Sequence, residues 1–307
     1  MRGVRILAAV VPVALLAAGT TGAAAAGGPV RPGHEHFLGD GGRPSAPPSY
    51  YLALGDSLAQ GVQPLGPGGT SIVTDRGYAD DLYAALRPFS PGLRLEKLGC
   101  PGETVPTMIA GGVCGYAPYA SQLQAAVAFL SAHRGHVPLV TIDIGANDVD
   151  GCASSTGLSP ACVAAGLTAV GSGLPRIVSA LRAADPGGQI LGMTYYDPFL
   201  AAWLLGTAGE EIAQASVPLA EDLNGLLERD YAAGRIGVAP VQEAFRTSDF
   251  SALPTGVPLN VALICAWTWM CAPPPAGPNI HANAVGYAVI AGAFLSRVRG
   301  VARYGRR

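Results

Sequence analysis

Charge is scarce in this chain: only 13% of its 307 residues are charged, and the formal net charge is −2. A balance so close to neutral speaks against nucleic acid as the main partner. No C-x-x-C pair with an accompanying histidine cluster occurs, which argues against a zinc site, and no metal or cofactor is expected. Beyond the leader, no stretch reaches the length of uninterrupted apolar residues that a membrane-spanning helix needs, so no stable membrane insertion is expected after processing. There is also no internal repeat and no second composition regime, which leaves one folded domain rather than two.

The first residues are of a different kind. Arg2 and Arg5 form a positive start, Ile6 to Ala18 is apolar, and Thr20 to Ala26 is rich in small residues. That order is the pattern of an export signal with a cleavage site. Residues 1–26 are therefore read as a signal peptide and 27–48 as a flexible leader rich in Gly, Pro and His, with His34 and His36 as solvated tail residues. The folded domain spans 49–300, and 301–307 is a basic tail. Export makes the six cysteines informative, because an oxidising compartment keeps disulfides closed. They fall as three local pairs, Cys100 with Cys114, Cys152 with Cys162 and Cys265 with Cys271. Six cysteines allow fifteen connectivities, among which nearest-neighbour pairing closes short loops.

From Tyr50 short apolar runs alternate with longer helical spacings. Strands are expected at Tyr50–Leu54, Leu93–Leu98, Leu139–Ile144, Gln189–Thr194 and Ile236–Val241. Helices are expected at Tyr78–Leu86, Ser121–His133, Pro160–Ala184 and Ala284–Val298, the third of them broken around Gly171–Gly173 and Pro175. Strands separated by helices imply βαβ units and a parallel sheet covered on both faces. In such sheets ligands bind outside the carboxyl ends of the strands. The first three strands stop at Gly55, Gly99 and Gly145, and each glycine opens a segment able to carry chemistry.

Gly55-Asp56-Ser57 puts a serine hydroxyl at a strand tip, just ahead of an expected helix N-terminus whose backbone N–H groups suit an oxyanion. Gly99 lets backbone approach a ligand closely. In Gly145-Ala146-Asn147-Asp148, the Asn147 amide offers a donor equivalent to a backbone N–H. His281, in the polar loop Asn279-Ile280-His281-Ala282-Asn283, is the one histidine placed to act as a base; His133 and His136 bracket a helix end, where a cationic cap is the ordinary role. Taken singly, each motif is also an ordinary cap or turn. The set, in this chain order, is what is specific.

Ser, Gly, Asn and His in that order resemble the SGNH (GDSL) hydrolase family, over roughly Tyr50 to Ser296 and closest to secreted actinobacterial esterases and lipases with three disulfides. The resemblance implies a three-layer α/β/α sandwich around a roughly five-stranded parallel sheet. It also implies hydrolysis of carboxylic esters through an acyl-enzyme on Ser57, with His281 as general base and an oxyanion hole made by Ser57 N–H, Gly99 N–H and the Asn147 side chain. One position departs from the family pattern. An Asp usually stands three residues before the His, and here that residue is Pro278. A backbone carbonyl near Pro278 or in the Cys265–Cys271 region is the expected substitute for orienting His281, with Asn279 and Asp249 as the other candidates.

Two apolar segments bear on the substrate. Trp267 and Trp269, inside the Cys265–Cys271 loop, are candidates for an acyl-binding wall, whereas Phe199–Leu205 with Trp203 reads as core or helix packing. The expected partner is a small-molecule or lipid ester, met by a secreted monomer. The competing readings are a deacetylase or phospholipase of the same family, and a catalytically weak or inactive secreted binding protein on the same fold.

Overall fold

The computed structural model describes residues 48–154 and 157–300. The expected signal peptide, the leader histidines and the basic tail lie outside the described residues. Five strands form one parallel sheet: β1 (Ser49–Gly55), β2 (Leu93–Lys97), β3 (Leu139–Asp143), β6 (Gln189–Met193) and β7 (Gly237–Ala239), in the order β2-β1-β3-β6-β7. Between β3 and β6 lies a small antiparallel hairpin, β4 (Ala153–Ser154) with β5 (Gly157–Leu158). Strand β1, flanked by β2 and β3, shows why the sheet must be covered on both faces: Tyr51, Leu52, Ala53 and Leu54 are all fully buried, so neither face can meet water.

Helices supply the cover. On one face α1 (Tyr78–Leu86) packs against α8 (Ala284–Leu295), which also meets α6 (Val241–Ala244) and α7 (Leu259–Trp267). On the other, α4 (Pro160–Ala184) packs against α2 (Val105–Ala110), α3 (Gln122–Ala132) and α5 (Thr207–Ala233). This is the expected three-layer α/β/α architecture. The helix α4 differs from expectation in being continuous. Pro175 does not break it, because Gly171 and Gly173 lie against Leu226 of α5 and Val105 of α2, and packing on both sides holds the helix together. By length and composition α4 could cross a bilayer, yet Leu174, Ile177, Val178 and Leu181 are buried in the protein core.

Four α-helices were not foreseen, α2, α5, α6 and α7, of which α2 and α6 are only six and four residues long. In α5 the many Glu, Asp and Gly residues and Pro218 mask the periodicity, and α7 is too short to show one. Three disulfides tie the connections, Cys100–Cys114, Cys152–Cys162 and Cys265–Cys271, which is the nearest-neighbour pairing.

Candidate active site

The first strand delivers its serine through a sharp turn. Gly55 has φ 126°, and a β-carbon there would fall 1.9 Å from the Asp143 carbonyl oxygen, so only glycine fits. The peptide is clamped by the buried Gln122, which accepts from Gly55 N–H at 2.7 Å and donates to Gly55 O at 2.9 Å. Gln122 also donates to Glu103, and the Glu103 carbonyl accepts from Asn147 Nδ2 at 2.9 Å. The tips of β1, β2 and β3 are thus joined by one run of hydrogen bonds.

No helix follows Ser57, contrary to expectation. Residues 57–61 form turns, closed by Val62 N–H donating to Ser57 O at 3.0 Å, and the next α-helix begins at Tyr78. The segment is held by side chains instead: Asp56 Oδ1 accepts from Leu58 N–H at 2.9 Å, and Asp143 Oδ2 accepts from Ala59 N–H at 3.2 Å. Tyr195 donates its hydroxyl to Asp56 Oδ2 at 3.0 Å, and Tyr78 donates to Asp143 Oδ1. Asp56 and Asp143 are buried side by side. Burial raises both, and the charge of Asp56 pushes Asp143 further, well above the ordinary carboxylate range. With Leu58 and Ala59 engaged, Ser57 N–H has no hydrogen-bond partner among the described residues.

Ser57, Asn147 and His281 line one pocket, although they lie far apart in sequence. Its remaining wall is mostly apolar, with Tyr196, Phe199, Leu219 and Leu223, and its volume is about 80 Å³. Gly99 is buried behind the Asp56–Gln60 turn, where its carbonyl accepts from Gln60 Nε2 at 2.7 Å, and its N–H makes no hydrogen bond among the described residues. It does not line the pocket itself.

The orientation of His281 corrects the sequence reading. Its Nδ1 donates to the side-chain oxygen of Asn279 at 2.7 Å, not to a backbone carbonyl. The same oxygen accepts from His281 N–H at 3.0 Å, while Asn279 Nδ2 donates to Ser71 Oγ at 3.0 Å, which holds the amide with its oxygen towards the ring. Asp249 is engaged elsewhere, by Arg246 at 2.9 Å and by Ser251 N–H at 3.0 Å. With no carboxylate beside it, burial alone acts on the imidazole and lowers its pKa to about 4. No hydrogen bond joins Ser57 to His281 among the described residues.

The tryptophans also fall elsewhere than expected. Neither Trp267 nor Trp269 lines the pocket. Trp267 packs edge-on against Phe245, and the Trp269 backbone pairs with the base loop, donating to His281 O at 3.0 Å and accepting from Asn279 N–H at 3.2 Å. Conversely Phe199, assigned to packing, lines the pocket, while Trp203 of the same segment packs on Phe250.

Sequence reasoning missed two more groups. Ser216, Leu219, Ala220, Leu223 and Asn224 present one face of α5 to the pocket, at the i, i+3, i+4, i+7, i+8 spacing of a helix. Asp150 and Asp197 also line it, and burial raises them to about 7 and about 6. Asp150 stands three residues beyond Asn147, so proximity in sequence was a usable signal.

The GDSL-like lipase/acylhydrolase family matches residues 53–289, most of the chain. The chain belongs to that family. Among solved structures, an extracellular lipase from Streptomyces rimosus is 20% identical, with a TM-score of 0.52 over 82% of this chain and 100% of that one. A GDSL-like lipase from Parabacteroides merdae, so described in its structure, is 13% identical, with a TM-score of 0.52 over 82% and 96%. At such identities the likeness establishes the fold. Among curated protein sequences none matches.

Proposed function

We propose that this GDSL-family hydrolase is exported and cleaves carboxylic esters of short acyl chain, with Ser57 as nucleophile and His281 as general base. The observation that carries this reading is the meeting of Ser57, Asn147 and His281, from three distant segments, in one mostly apolar pocket. His281 Nε2 takes the Ser57 proton as Oγ bonds to the ester carbon and the carbonyl electron pair moves to oxygen. Ser57 N–H and the second Asn147 amide hydrogen are the donors for that oxyanion, whereas Gly99 lies behind the turn and does not line the pocket. Collapse expels the alcohol, which leaves with the proton held by His281. Water then attacks the acyl-enzyme by the same route, giving the acid and free Ser57.

Asn279 takes the place of the family's aspartate. Its oxygen fixes the proton on Nδ1, so that Nε2 carries the free electron pair, but as a neutral acceptor it does not raise the basicity of the ring. A cavity of about 80 Å³ is far smaller than the several hundred Å³ of a drug-sized ligand site, which favours acyl groups of a few carbons. The apolar start of the chain and the three disulfides support export, and the mature protein is taken to act as a monomer.

The test uses purified protein and a series of p-nitrophenyl esters. Acetate and butyrate turn over faster than palmitate, a fluorophosphonate probe labels Ser57, and Ser57→Ala lowers the rate by a factor of at least ~10⁴ without changing the melting temperature by more than a few degrees. A fully active Ser57→Ala protein overturns the assignment. An unlabelled wild-type protein supports instead an inactive binding protein on this fold.

A further inference from the structure

At the opposite end of the sheet from Ser57, a second and more open cavity is lined by Arg182, Arg235, Arg297 and Arg299 together with backbone of β6 and β7. Strand β6 separates the two ends: its start, Gln189–Leu191, lines this cavity, and Tyr195 and Tyr196, just beyond its end, line the first. We propose that this arginine-lined cavity is a binding site for a phosphate group, distinct from the ester-cleaving pocket.

Four observations support it. The arginines converge from three separate segments, the end of α4, the turn before β7 and the turn after α8, and among the described residues no Asp or Glu lines the cavity with them. None of the four takes part in an ion pair among the described residues. Asp185 is the acid that faces Arg182 electrostatically, but it is buried and its Oδ1 is taken by Gly188 N–H at 3.0 Å.

Arg182 is spent on structure: it donates to the carbonyls of Gly188 at 2.9 Å and Arg235 at 3.1 Å, which ties the start of β6 to the turn before β7. Arg235, Arg297 and Arg299 are exposed, and no side-chain hydrogen bond occupies their guanidinium groups among the described residues.

Arg235 also holds φ 55°, a left-handed conformation in which glycine would be less strained than arginine. A cation kept at a strained, exposed position, beside two other unpaired cations, is better explained by an anion than by packing. The guanidinium fork matches phosphate oxygens in pairs, and three such forks around one concavity suit a phosphate rather than a halide or a single carboxylate.

The test titrates inorganic phosphate into wild-type protein at constant ionic strength, with chloride as the compensating ion, and reads backbone amide shifts. Saturable shifts confined to Gly187–Leu191, Ile236–Val238 and Arg297–Arg299 are expected. Arg235→Gly keeps the carbonyl that Arg182 needs and relieves the strain. Its melting temperature should be unchanged or higher while phosphate affinity falls about tenfold, as for loss of one charge-assisted pair. Arg235→Gly combined with Arg299→Ala should abolish saturation, and p-nitrophenyl ester hydrolysis should be unchanged in both variants.

Vesicles separate the two sources of phosphate. Sedimentation with phosphatidylglycerol but not phosphatidylcholine, reversed by inorganic phosphate, assigns a lipid headgroup; phosphate binding without sedimentation assigns a soluble phosphate. The proposal is overturned if phosphate and chloride act alike, or if Arg235→Gly and the double variant bind as the wild type does. The readout is independent of ester hydrolysis, so its failure leaves the reading of Ser57 untouched.

Discussion

The nucleophile and the base share a pocket but are held in place very differently. Ser57 stands on a turn whose neighbours are buried and bonded: Asp56 to Leu58 N–H and Tyr195, Asp143 to Ala59 N–H and Tyr78, Gln122 to both polar groups of Gly55. His281 stands on a half-buried loop whose backbone pairs with Trp269, and its ring is held by one amide oxygen that is itself steadied by an exposed serine. The position of the serine is part of the core, so it can be lost only by disturbing the core. The position of the histidine rests on local contacts, so it can be altered with little effect on the fold.

That contrast can be broken most directly at the base. His281→Ala should lower p-nitrophenyl acetate hydrolysis by a factor of about 10³ to 10⁴ while the thermal melting curve stays within a few degrees of wild type. A collapse of the fold would show that the loop is structural after all. On the other side, Asp143→Ala strips acceptors from two backbone N–H groups and a buried tyrosine. It should cost about 3 kcal/mol or more, read as a fall of roughly 6 to 12 °C in melting temperature, with activity lost along with the fold.

Asn279 sharpens the comparison through pH. The His281 pKa lies below its unfolded value, so the neutral base is already present above about pH 4, and the rising limb of the kcat/KM profile should lie there rather than at 6 to 7. Asn279→Asp places a carboxylate beside the ring and favours the imidazolium, so the limb should move upward by about one unit or more. Asn279→Ala should leave the limb low and reduce the rate by about 10- to 100-fold through loss of the oriented tautomer. An unchanged profile in both variants would sink the orienting role.

The linkage sign is also definite. Between about pH 4 and the unfolded value of 6.5 the unfolded chain binds the extra proton at His281, so this residue contributes a stability that falls as pH falls through that window. The smallest effect is expected from replacing Cys265 and Cys271 by serine. Their short loop carries the Trp269 backbone that pairs with the base loop, and opening it should cost about 2 kcal/mol and a few-fold in rate.

Strand positions were legible because a sheet buried on both faces demands apolar runs, and the four helices α1, α3, α4 and α8 were legible from their spacing. Helix α5 was not, since its pocket-facing residues Ser216, Leu219, Ala220, Leu223 and Asn224 mix polar and apolar types on one face. The local cysteine pairing could be anticipated from spacing, whereas the role of Trp269 could not: its contribution is made by backbone, which the side-chain pattern does not reveal. Phe199 and Trp203 lie in one apolar segment, yet one reaches the pocket and the other packs on Phe250.

The order Ser57, Gly99, Asn147, His281 and the glycines that end three strands were present in the amino-acid sequence, and with them the family and the sheet. Tertiary structure alone decided that Asn279 rather than a carbonyl holds the imidazole, that Asp143 is buried beside Asp56, and that four arginines meet at the far end of the sheet. The reason is physical: strand and helix patterns follow from local periodicity and burial. The partner of a ring nitrogen, the pairing of two buried carboxyls and the convergence of distant cations depend on distances that no local pattern encodes.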